Sequence, residues 1–289
     1  MTTAEPSGEH WVDLSHGRTR FLRKGAGAPV LFLHGVGFTD GAEVWSRSLE
    51  QMAVSHDAIA VDLLGWGDGD RLDASYSFAY LVDFVREFQD ALGLSRCHVV
   101  GHSMGGWVAS LLAYESPERV DRLVLVSSGG TVTRPLATMT AFQPPSSAEE
   151  VYSELVERRG YPPDAPTRAL AERQFARAGR DGALESYRRI LGHMTDPVHR
   201  ARYNTVRRLP RIASSTLVVW GRHDEVNPLD MGRRTADLIP DAQLTLLECG
   251  HFPASQAPAP FHDAVASFLN GPPPQGTTAQ NPSASAAAT

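Results

Sequence analysis

Six short apolar segments alternate with segments of helical pattern along this chain of 289 residues, and the alternation constrains the fold more than any other feature. Such segments are typical of strands buried on both faces of a parallel sheet, with helices packed against it. The segments are "PVLFLHG", "DAIAVDLLG", "RCHVVGHS", "DRLVLVSS", "TLVVWGRHD" and "AQLTLLECGH". Two earlier segments, "HWVDL" and "TRFLRKG", indicate an opening hairpin. The sequence therefore predicts an α/β fold with a mostly parallel, eight-stranded sheet flanked by helices.

The alternation stops between the fourth and the fifth of these strands. Residues 131–209 are helical in pattern and hold 13 Arg against 9 Asp and Glu. An insert of this length is too long for a plain loop, so we expect a helical cap over one end of the sheet. Residues 1–130 and 210–270 then form the two parts of the α/β core. The tail at 271–289 lacks large apolar residues and is expected to be disordered.

Composition and charge argue against several classes of protein. No stretch approaches the roughly 18 apolar residues of a membrane helix, and the first residues lack a secretory signal pattern, so we expect a cytoplasmic protein without membrane contact. The net charge of −6, without a basic run, argues against a nucleic-acid partner. Two cysteines are too few for a disulfide framework, and no Cys/His group has zinc-ligand spacing. We expect no metal and no cofactor; the sequence allows a homo-oligomer.

A serine stands at the corner between a strand and a helix in "HVVGHSMGGWVAS". Gly101-His102-Ser103-Met104-Gly105 matches the G-x-S-x-G nucleophile elbow in the strand–turn–helix context that this motif requires. Glycines flank the serine because the tight turn imposes strained dihedrals and leaves no room for side chains. The pattern predicts Ser103 as a nucleophile, and the alternative is a glycine-rich turn with an ordinary serine.

A serine hydroxyl needs a base, and the base needs an acid to orient it. Asp224 and His251 follow Ser103 in the order that this architecture requires, each just past the carboxyl end of a strand, where catalytic groups gather. The alternatives are a turn-capping carboxylate for Asp224 and a polar strand-end residue for His251. His223 and Glu225 adjoin Asp224, but Asp224 lies where the loop first clears the strand.

Two backbone N–H groups and two histidines flank the predicted nucleophile. The N–H of Val36, in the turn of "LFLHGVG", and the N–H of Met104 are predicted to bind the developing oxyanion, unless the first is a plain glycine turn. His98 and His102 are too close to Ser103 along the chain to act as its base, and we interpret both as structural. The loop "DLLGWGDGD" is expected to pack beside the site without a chemical role.

Five motifs in this order and at this spacing, "HGVG", "DLLGWGDGD", "GHSMGG", "WGRHDEVNP" and "CGHF", resemble those of the α/β-hydrolase fold enzymes over about residues 10–270. The resemblance implies the same nucleophile, acid, base and oxyanion donors. The last third further resembles the carbon–carbon hydrolases that cleave ring-fission products. Two positions depart from those enzymes: Phe252 follows the histidine where they have tryptophan, and Phe38-Thr39 follows the glycine turn where they have Pro-Gly.

These features predict a cofactor-independent serine hydrolase that cleaves a small, partly hydrophobic ester, lactone or related acyl compound through an acyl-enzyme. The first alternative is a hydrolase of carbon–carbon bonds in vinylogous diketone ring-fission products. A small-ligand receptor, or a biosynthetic cyclase or lyase, on the same scaffold is a further alternative, because fold alone does not decide function.

Five residues are predicted to contact the substrate. Gly37, Phe38 and Phe252 adjoin the predicted oxyanion turn and base. Arg188 and Arg189 lie near the middle of the positively charged cap, where an inward arginine would hold a substrate carboxylate. The alternative for these arginines is a solvated helix face with ion pairs to the cap glutamates, Glu157, Glu172 and Glu185.

Overall fold

A computed structural model describes residues 8–132 and 143–271 of the chain. Its eight strands form one sheet in the order β1-β2-β4-β3-β5-β6-β7-β8. Strand β2 pairs antiparallel with β1 and with β4, and the remaining neighbours are parallel. The strands are β1 (Glu9–Leu14), β2 (Gly17–Gly25), β3 (Ala28–Leu33), β4 (His56–Val61), β5 (Cys97–His102), β6 (Val120–Val126), β7 (Ser215–Gly221) and β8 (Ala242–Leu247). The predicted fold class is confirmed.

Ten α-helices occur among the described residues, and six of them connect or flank the strands. In chain order they are α1 (Ser46–Met52), α2 (Phe78–Ala91), α3 (Met104–Glu115), α4 (Ala148–Ser153), α5 (Ala165–Ala178), α6 (Ala183–Thr195), α7 (Pro197–Tyr203), α8 (Leu229–Leu238), α9 (Pro253–Gln256) and α10 (Pro258–Leu269). Short 3₁₀ turns lie at Ala42–Trp45, Pro117–Arg119 and Leu209–Arg211. None of the helices in the described ranges is long and apolar enough to cross a membrane.

The hydrophobic core lies on both faces of the sheet, as a parallel sheet covered by helices requires. Leu31 and Leu33 of β3 pack with α2 and α3 on one face, whereas Val30 and Phe32 pack with α1 and α10 on the other. All four side chains are fully buried. This double burial explains why the strand sequences are apolar throughout rather than alternating.

Strand β8 differs from the other parallel strands. Its sequence predicts burial on both faces, and this prediction is wrong, because β8 lies at the edge of the sheet with β7 as its one neighbour. Gln243 and Leu244 are exposed, Leu244 at 37%. A short apolar run fits an edge strand as well as a central one.

Between β6 and β7 the described part of the chain holds helices α4 to α7 and a π-helical turn at Glu154–Arg158, with no strand. Tyr187, Ile190 and Met194 of α6 pack in the same apolar cluster as α2 and α3, which joins this region to the core. We call the region between β6 and β7 the cap. Residues 133–142 of the predicted cap lie outside the described residues, as does the predicted tail beyond Gly271.

Buried ion pairs also join the cap to the core. Arg177 of α5 pairs with Glu43, and Glu43 in turn accepts from Arg20 at 2.6 Å. Arg20 also pairs with the fully buried Asp62 of the "DLLGWGDGD" loop at 2.8 Å. Gly67 of that loop has φ +56°, and a Cβ there would lie 2.1 Å from the Asp62 carboxylate. Gly67 therefore makes room for a structural ion-pair cluster.

Candidate active site

Ser103 lies at the strained corner between β5 and α3. Its backbone has φ +53° and ψ −112°, a conformation that non-glycine residues rarely adopt outside functional sites. A Cβ at Gly101 would lie 2.4 Å from the carbonyl oxygen of Gly105, and a Cβ at Gly105 would lie 2.3 Å from that of Leu33. Both positions therefore require glycine, as the elbow motif predicts.

The backbone around Ser103 is fixed by hydrogen bonds on two sides. The Ser103 N–H donates to the carbonyl of Val126 in β6 at 2.9 Å. The Ser103 carbonyl accepts from the N–H of Trp107 at 3.1 Å and of Gly129 at 3.0 Å. The serine side chain thus starts from a rigid backbone at the first turn of α3, where the helix dipole favours negative charge.

Asp224 and His251 form a buried pair at the carboxyl ends of β7 and β8. Nδ1 of His251 lies 2.9 and 3.0 Å from the two Asp224 carboxylate oxygens. Asp224 Oδ1 also accepts from the backbone N–H groups of Val226 and Asn227 at 2.9 and 2.8 Å. The sequence order Ser, Asp, His is thus matched by an acid that contacts the predicted base.

The protonation of this pair follows from its surroundings. Burial favours the neutral carboxyl, but the hydrogen bond and charge of His251 and the N–H of Asn227 outweigh burial and lower the pKa of Asp224. An ionised Asp224 accepts only, so the hydrogen bond requires a proton on Nδ1 of His251, and in a neutral imidazole Nε2 is then the acceptor. This is the tautomer that a general base for a serine requires.

Ser103 and His251 line one cavity of about 480 Å³. Val36, Gly37 and Phe38 line the same cavity. Phe252 and Val226 also lie in its wall. The predicted substrate contacts in the glycine turn and Phe252 therefore line the same cavity as the predicted nucleophile and base. Met104 is buried outside the lining, which leaves its backbone N–H as the group for its predicted role.

The turn that carries Val36 lies directly against Ser103. A Cβ at Gly35 would lie 3.4 Å from the Ser103 Cβ and 3.1 Å from His102 Nδ1. The N–H of Gly37 donates to Asp40 at 3.0 Å, which closes the turn. The placement suits the predicted oxyanion role of Val36.

His102 has a contact that its place in the sequence does not reveal. Burial and the neighbouring His251 lower its pKa to about 3, so the ring is neutral. Its Nε2–H donates to the backbone carbonyl of His251 at 2.8 Å, and the two ring centres are 4.9 Å apart. His102 thus ties the His251 loop to the elbow, which refines its interpretation as a structural residue.

The structure places the two predicted cap arginines away from the cavity. Arg189 of α6 donates to Glu185 at 3.0 Å and pairs with Asp73, whereas Arg188 is exposed. Neither lines the cavity, because α6 turns its apolar face inward and carries both arginines on its outer side. Neither residue is therefore placed to hold a substrate carboxylate in this cavity, and Arg189 fits the alternative of a surface ion pair with Glu185.

Two other cap arginines line the cavity, Arg158 and Arg159. Nothing in "VERRGY" marks them as inward, because their direction depends on how the π-helical turn packs against the core. Four acidic residues share the lining with them, Asp40, Glu150, Glu154 and Glu157. The described wall thus has more acidic than basic groups, although the cap as a whole has an excess of arginine.

None of the residues in 8–132 and 143–271 forms a group of three or more His, Cys, Asp or Glu side chains arranged to hold a metal ion.

Comparison with known proteins identifies the family of the chain. Residues 28–258 match the α/β-hydrolase fold family, and the chain belongs to that family. It is 33% identical over 268 residues to 2-hydroxymuconate semialdehyde hydrolase of Pseudomonas sp. (strain CF600), covering 87% of this chain and 90% of that protein. It is 31% identical to 2-hydroxy-6-oxononadienedioate/2-hydroxy-6-oxononatrienedioate hydrolase of Cupriavidus pinatubonensis, covering 92% and 96%.

The fold also resembles that of a solved carbon–carbon hydrolase. The meta-cleavage product hydrolase of Pseudomonas fluorescens IP01 matches with a TM-score of 0.77 at 27% identity, covering 90% of this chain and 97% of that one. The resemblance to carbon–carbon hydrolases predicted from the last third of the sequence is therefore confirmed and extends along most of the chain. The protein is a hydrolase of the α/β fold.

Proposed function

We propose that the protein hydrolyses a carbon–carbon bond in a vinylogous diketone of the kind formed by ring fission. The observation that carries the proposal is that His251, paired with Asp224, shares one cavity with Ser103, in a chain 33% identical to a 2-hydroxymuconate semialdehyde hydrolase. The relatives thus favour carbon–carbon cleavage over the ester or lactone hydrolysis that the motifs alone predict.

In the first step Ser103 Oγ attacks the ketone carbonyl carbon, and Nε2 of His251 takes the serine proton. The carbonyl oxygen becomes an oxyanion, for which the N–H groups of Val36 and Met104 are the proposed donors. Asp224 stabilises the imidazolium that forms and keeps Nδ1 protonated. The same three side chains and two N–H groups serve every later step.

In the second step the bond between the carbonyl carbon and its neighbour breaks, and that neighbour leaves with the electron pair. A 2-hydroxydienoate permits this in its diketo tautomer, which forms when the hydroxyl proton moves to the neighbour carbon and the hydroxyl becomes the second carbonyl. The negative charge left on that carbon then delocalises through the remaining double bond onto the second carbonyl as a dienolate. The imidazolium of His251 returns a proton to the leaving fragment. A water, deprotonated by His251, then hydrolyses the acyl group on Ser103, so one water is consumed and one carboxylic acid is released.

The cavity wall suits a substrate with one polar and one apolar part. Phe38, Leu191 and Val226 give an apolar side, and the cap turn at Glu154–Arg158 and Arg159 gives a charged side. Because the acidic groups of the wall outnumber the basic ones, we propose that the substrate has at most one carboxylate rather than two.

Ester or enol-lactone hydrolysis is the second candidate. It is favoured by the two departures from the carbon–carbon hydrolase pattern, since Phe252 and Phe38 both lie in the cavity wall where a changed side chain alters the substrate pocket. The acyl-enzyme half of the reaction is the same for an ester, so the triad alone does not separate the two activities.

Spectrophotometric turnover of a substrate panel tests the proposal. The panel contains 2-hydroxy-6-oxohexa-2,4-dienoate, its 6-alkyl and 6-phenyl analogues, and p-nitrophenyl acetate and butyrate, with Ser103→Ala as the control. We expect loss of the dienolate absorbance with a kcat/KM about 100-fold above that for the esters, a ratio typical of a site matched to one transition state. Ester turnover without dienolate cleavage would replace the proposal by the second candidate, and no turnover of either class would favour a receptor or a cyclase.

A further inference from the structure

Three segments of the active site meet at one buried ion pair. Asp40 follows the glycine turn after β3, and Arg159 follows the π-helical turn of the cap. The Arg159 guanidinium pairs with Asp40 Oδ1, and their side chains are 9% and 5% exposed. The second oxygen of Asp40 accepts from the N–H of Gly37 at 3.0 Å. One carboxylate therefore connects the oxyanion turn with the cap.

Arg159 extends this connection to the segment after His251. Its guanidinium carbon lies 5.1 Å from the ring centre of Phe252, the residue after the predicted base. Its backbone carbonyl accepts from the hydroxyl of Ser255, and its Nε donates to Glu154 at 3.2 Å. The charged end and the backbone of Arg159 thus hold two different segments of the cavity wall.

We propose that the Asp40–Arg159 pair is a positioning device that holds the oxyanion turn, Gly35–Gly37, against Ser103 and the His251 loop. The inference rests on the proposed role of Ser103 as nucleophile, but not on which bond is cleaved. Neither residue takes part in bond making; each acts through the backbone that it holds.

The sequence of the turn explains why it needs such a device. Val36 lies between two glycines, so the turn has a single side chain, which packs partly buried against the core. The direction of the N–H groups in the turn therefore also depends on the hydrogen bonds of Gly37, whose carbonyl accepts from Trp66 Nε1 at 2.9 Å and whose N–H donates to Asp40 at 3.0 Å. A Cβ at Gly37 would lie 2.6 Å from both Arg159 Nη2 and Asp40 Oδ1, which shows that the ion pair packs directly on the turn. Loss of Arg159 would leave Asp40 buried without its cation, and the turn would move to let water reach it.

The chain offers a matched control in Arg177–Glu43. This pair also joins the cap to the segment after β3, only three residues beyond Asp40, and its side chains are 6% and 5% exposed. Neither Arg177 nor Glu43 lines the cavity. The two pairs are alike in burial and in the regions they join. They differ in contact with the oxyanion turn, and Glu43 also accepts from Arg20 at 2.6 Å, so it keeps one cation when Arg177 is replaced.

A fluorophosphonate inactivates serine hydrolases by reacting with the nucleophilic serine. The rate of inactivation of the full-length protein therefore measures the reactivity of Ser103, and no natural substrate is needed. We expect Arg159→Met to lower the second-order rate constant about 10-fold or more, since small displacements of a catalytic group cost this much. Arg177→Met should stay within about 2-fold of wild type, because neither Arg177 nor Glu43 lines the cavity. An equal loss of rate in both variants would overturn the inference, because the effect would then be general loosening of the cap.

Variants of Asp40 separate its two contacts. Asp40→Asn keeps an acceptor for the Gly37 N–H and should retain more of the inactivation rate than Asp40→Ala, and Arg159→Lys should retain more than Arg159→Met. The double variant Asp40→Ala/Arg159→Met should be no slower than the slower single variant, because the two residues act as one unit. Additive losses would overturn the inference.

Hydrogen exchange measured by mass spectrometry reports how well the backbone of the oxyanion turn is held, and it needs no catalysed reaction. Arg159→Met should speed exchange in the peptide covering residues 34–41, and Arg177→Met should leave this segment closer to wild type. If the wild type is not labelled by the fluorophosphonate, the proposed nucleophile fails, and the exchange of this peptide still decides the inference. Unchanged exchange in Arg159→Met would contradict it.

Discussion

The sheet rim and the cap position their residues in the active site by different physical means. At the rim, Ser103 is fixed by backbone hydrogen bonds to Val126 of β6, Trp107 of α3 and Gly129, and the Asp224 carboxylate by two backbone N–H groups. In the cap, Arg159 and Arg177 reach the core through side-chain ion pairs to Asp40 and Glu43. The rim therefore depends on local backbone geometry, and the cap depends on which distant charges happen to face each other.

The difference has a consequence for substitutions. A change of side chain at the rim leaves the backbone in place and removes only the chemistry of that residue. A change in a cap ion pair leaves a buried charge unpaired and moves the backbone around it. We therefore expect large losses of activity with little loss of stability at the rim, and the reverse in the cap away from Arg159.

The largest effect is expected for Ser103→Ala. Turnover should fall on the order of 10⁴- to 10⁶-fold, as for nucleophiles of other serine triads. The Tm should change little, because the strained backbone is held by main-chain hydrogen bonds that alanine keeps. Steady-state kinetics and thermal melting check both expectations, and Ser110→Ala, a buried serine of α3 outside the cavity, is the control.

Retained turnover in Ser103→Ala would mean that the sheet rim contributes no nucleophile, and the contrast between the rim and the cap would not hold. A large fall of Tm in this variant with intact turnover per folded molecule would do the same.

The next effect is expected for Asp224→Asn. An amide in place of the carboxylate allows the wrong tautomer of His251, and kcat should fall about 10⁴-fold. The neighbouring Glu225 is exposed, so Glu225→Gln should keep kcat within about 2-fold, as surface substitutions away from a site usually do. If Glu225→Gln lost activity and Asp224→Asn kept it, Glu225 rather than Asp224 would be the acid that orients His251.

A smaller effect, on stability, is expected from Asp40. Burial opposes ionisation of Asp40, but the Arg159 guanidinium outweighs burial and lowers its pKa. The ion pair therefore contributes to the free energy of unfolding above the unfolded-state pKa of about 3.9, and this contribution is lost as the pH falls through the depressed folded-state value. Asp40→Asn should be about 2 to 4 kcal/mol less stable than wild type at pH 7.

Urea unfolding at several pH values measures this difference. The gap between Asp40→Asn and wild type should shrink as the pH is lowered below 4, whereas the exposed Asp13 should give no such trend when changed to Asn. A gap that stays constant or widens on acidification would mean that Asp40 is not ionised in the native protein.

The smallest effect is expected for the outer cap arginines. Neither Arg188 nor Arg189 lines the cavity, so alanine at either position should leave kcat/KM within about 2-fold for a carboxylate substrate and for its methyl ester alike. Loss of the Arg189 surface pairs should leave the Tm close to that of wild type, because exposed ion pairs contribute little to stability. A rise of KM confined to the carboxylate substrate, larger at low salt, would instead place these arginines at the substrate.

The sequence predicted most of the rim and little of the cap wall. The elbow glycines, Ser103, Asp224 and His251 are recognisable because a tight turn and the ends of parallel strands place residues by local rules. Arg159 is not recognisable, because its direction follows from the packing of a π-helical turn on a loop more than a hundred residues away in the chain. The net positive charge of the cap led to the expectation that Arg188 and Arg189 face the cavity. Composition does not show which side of a helix its charged residues occupy.

Peptide mapping after fluorophosphonate treatment tests the central claim most directly, namely that the Asp224–His251 pair activates Ser103 in the shared cavity. Wild-type protein should carry the phosphonyl group on Ser103 and on no other serine, with labelling strongly reduced in His251→Ala. Labelling of a different residue, or unchanged labelling of Ser103 when His251 is replaced, would contradict the claim.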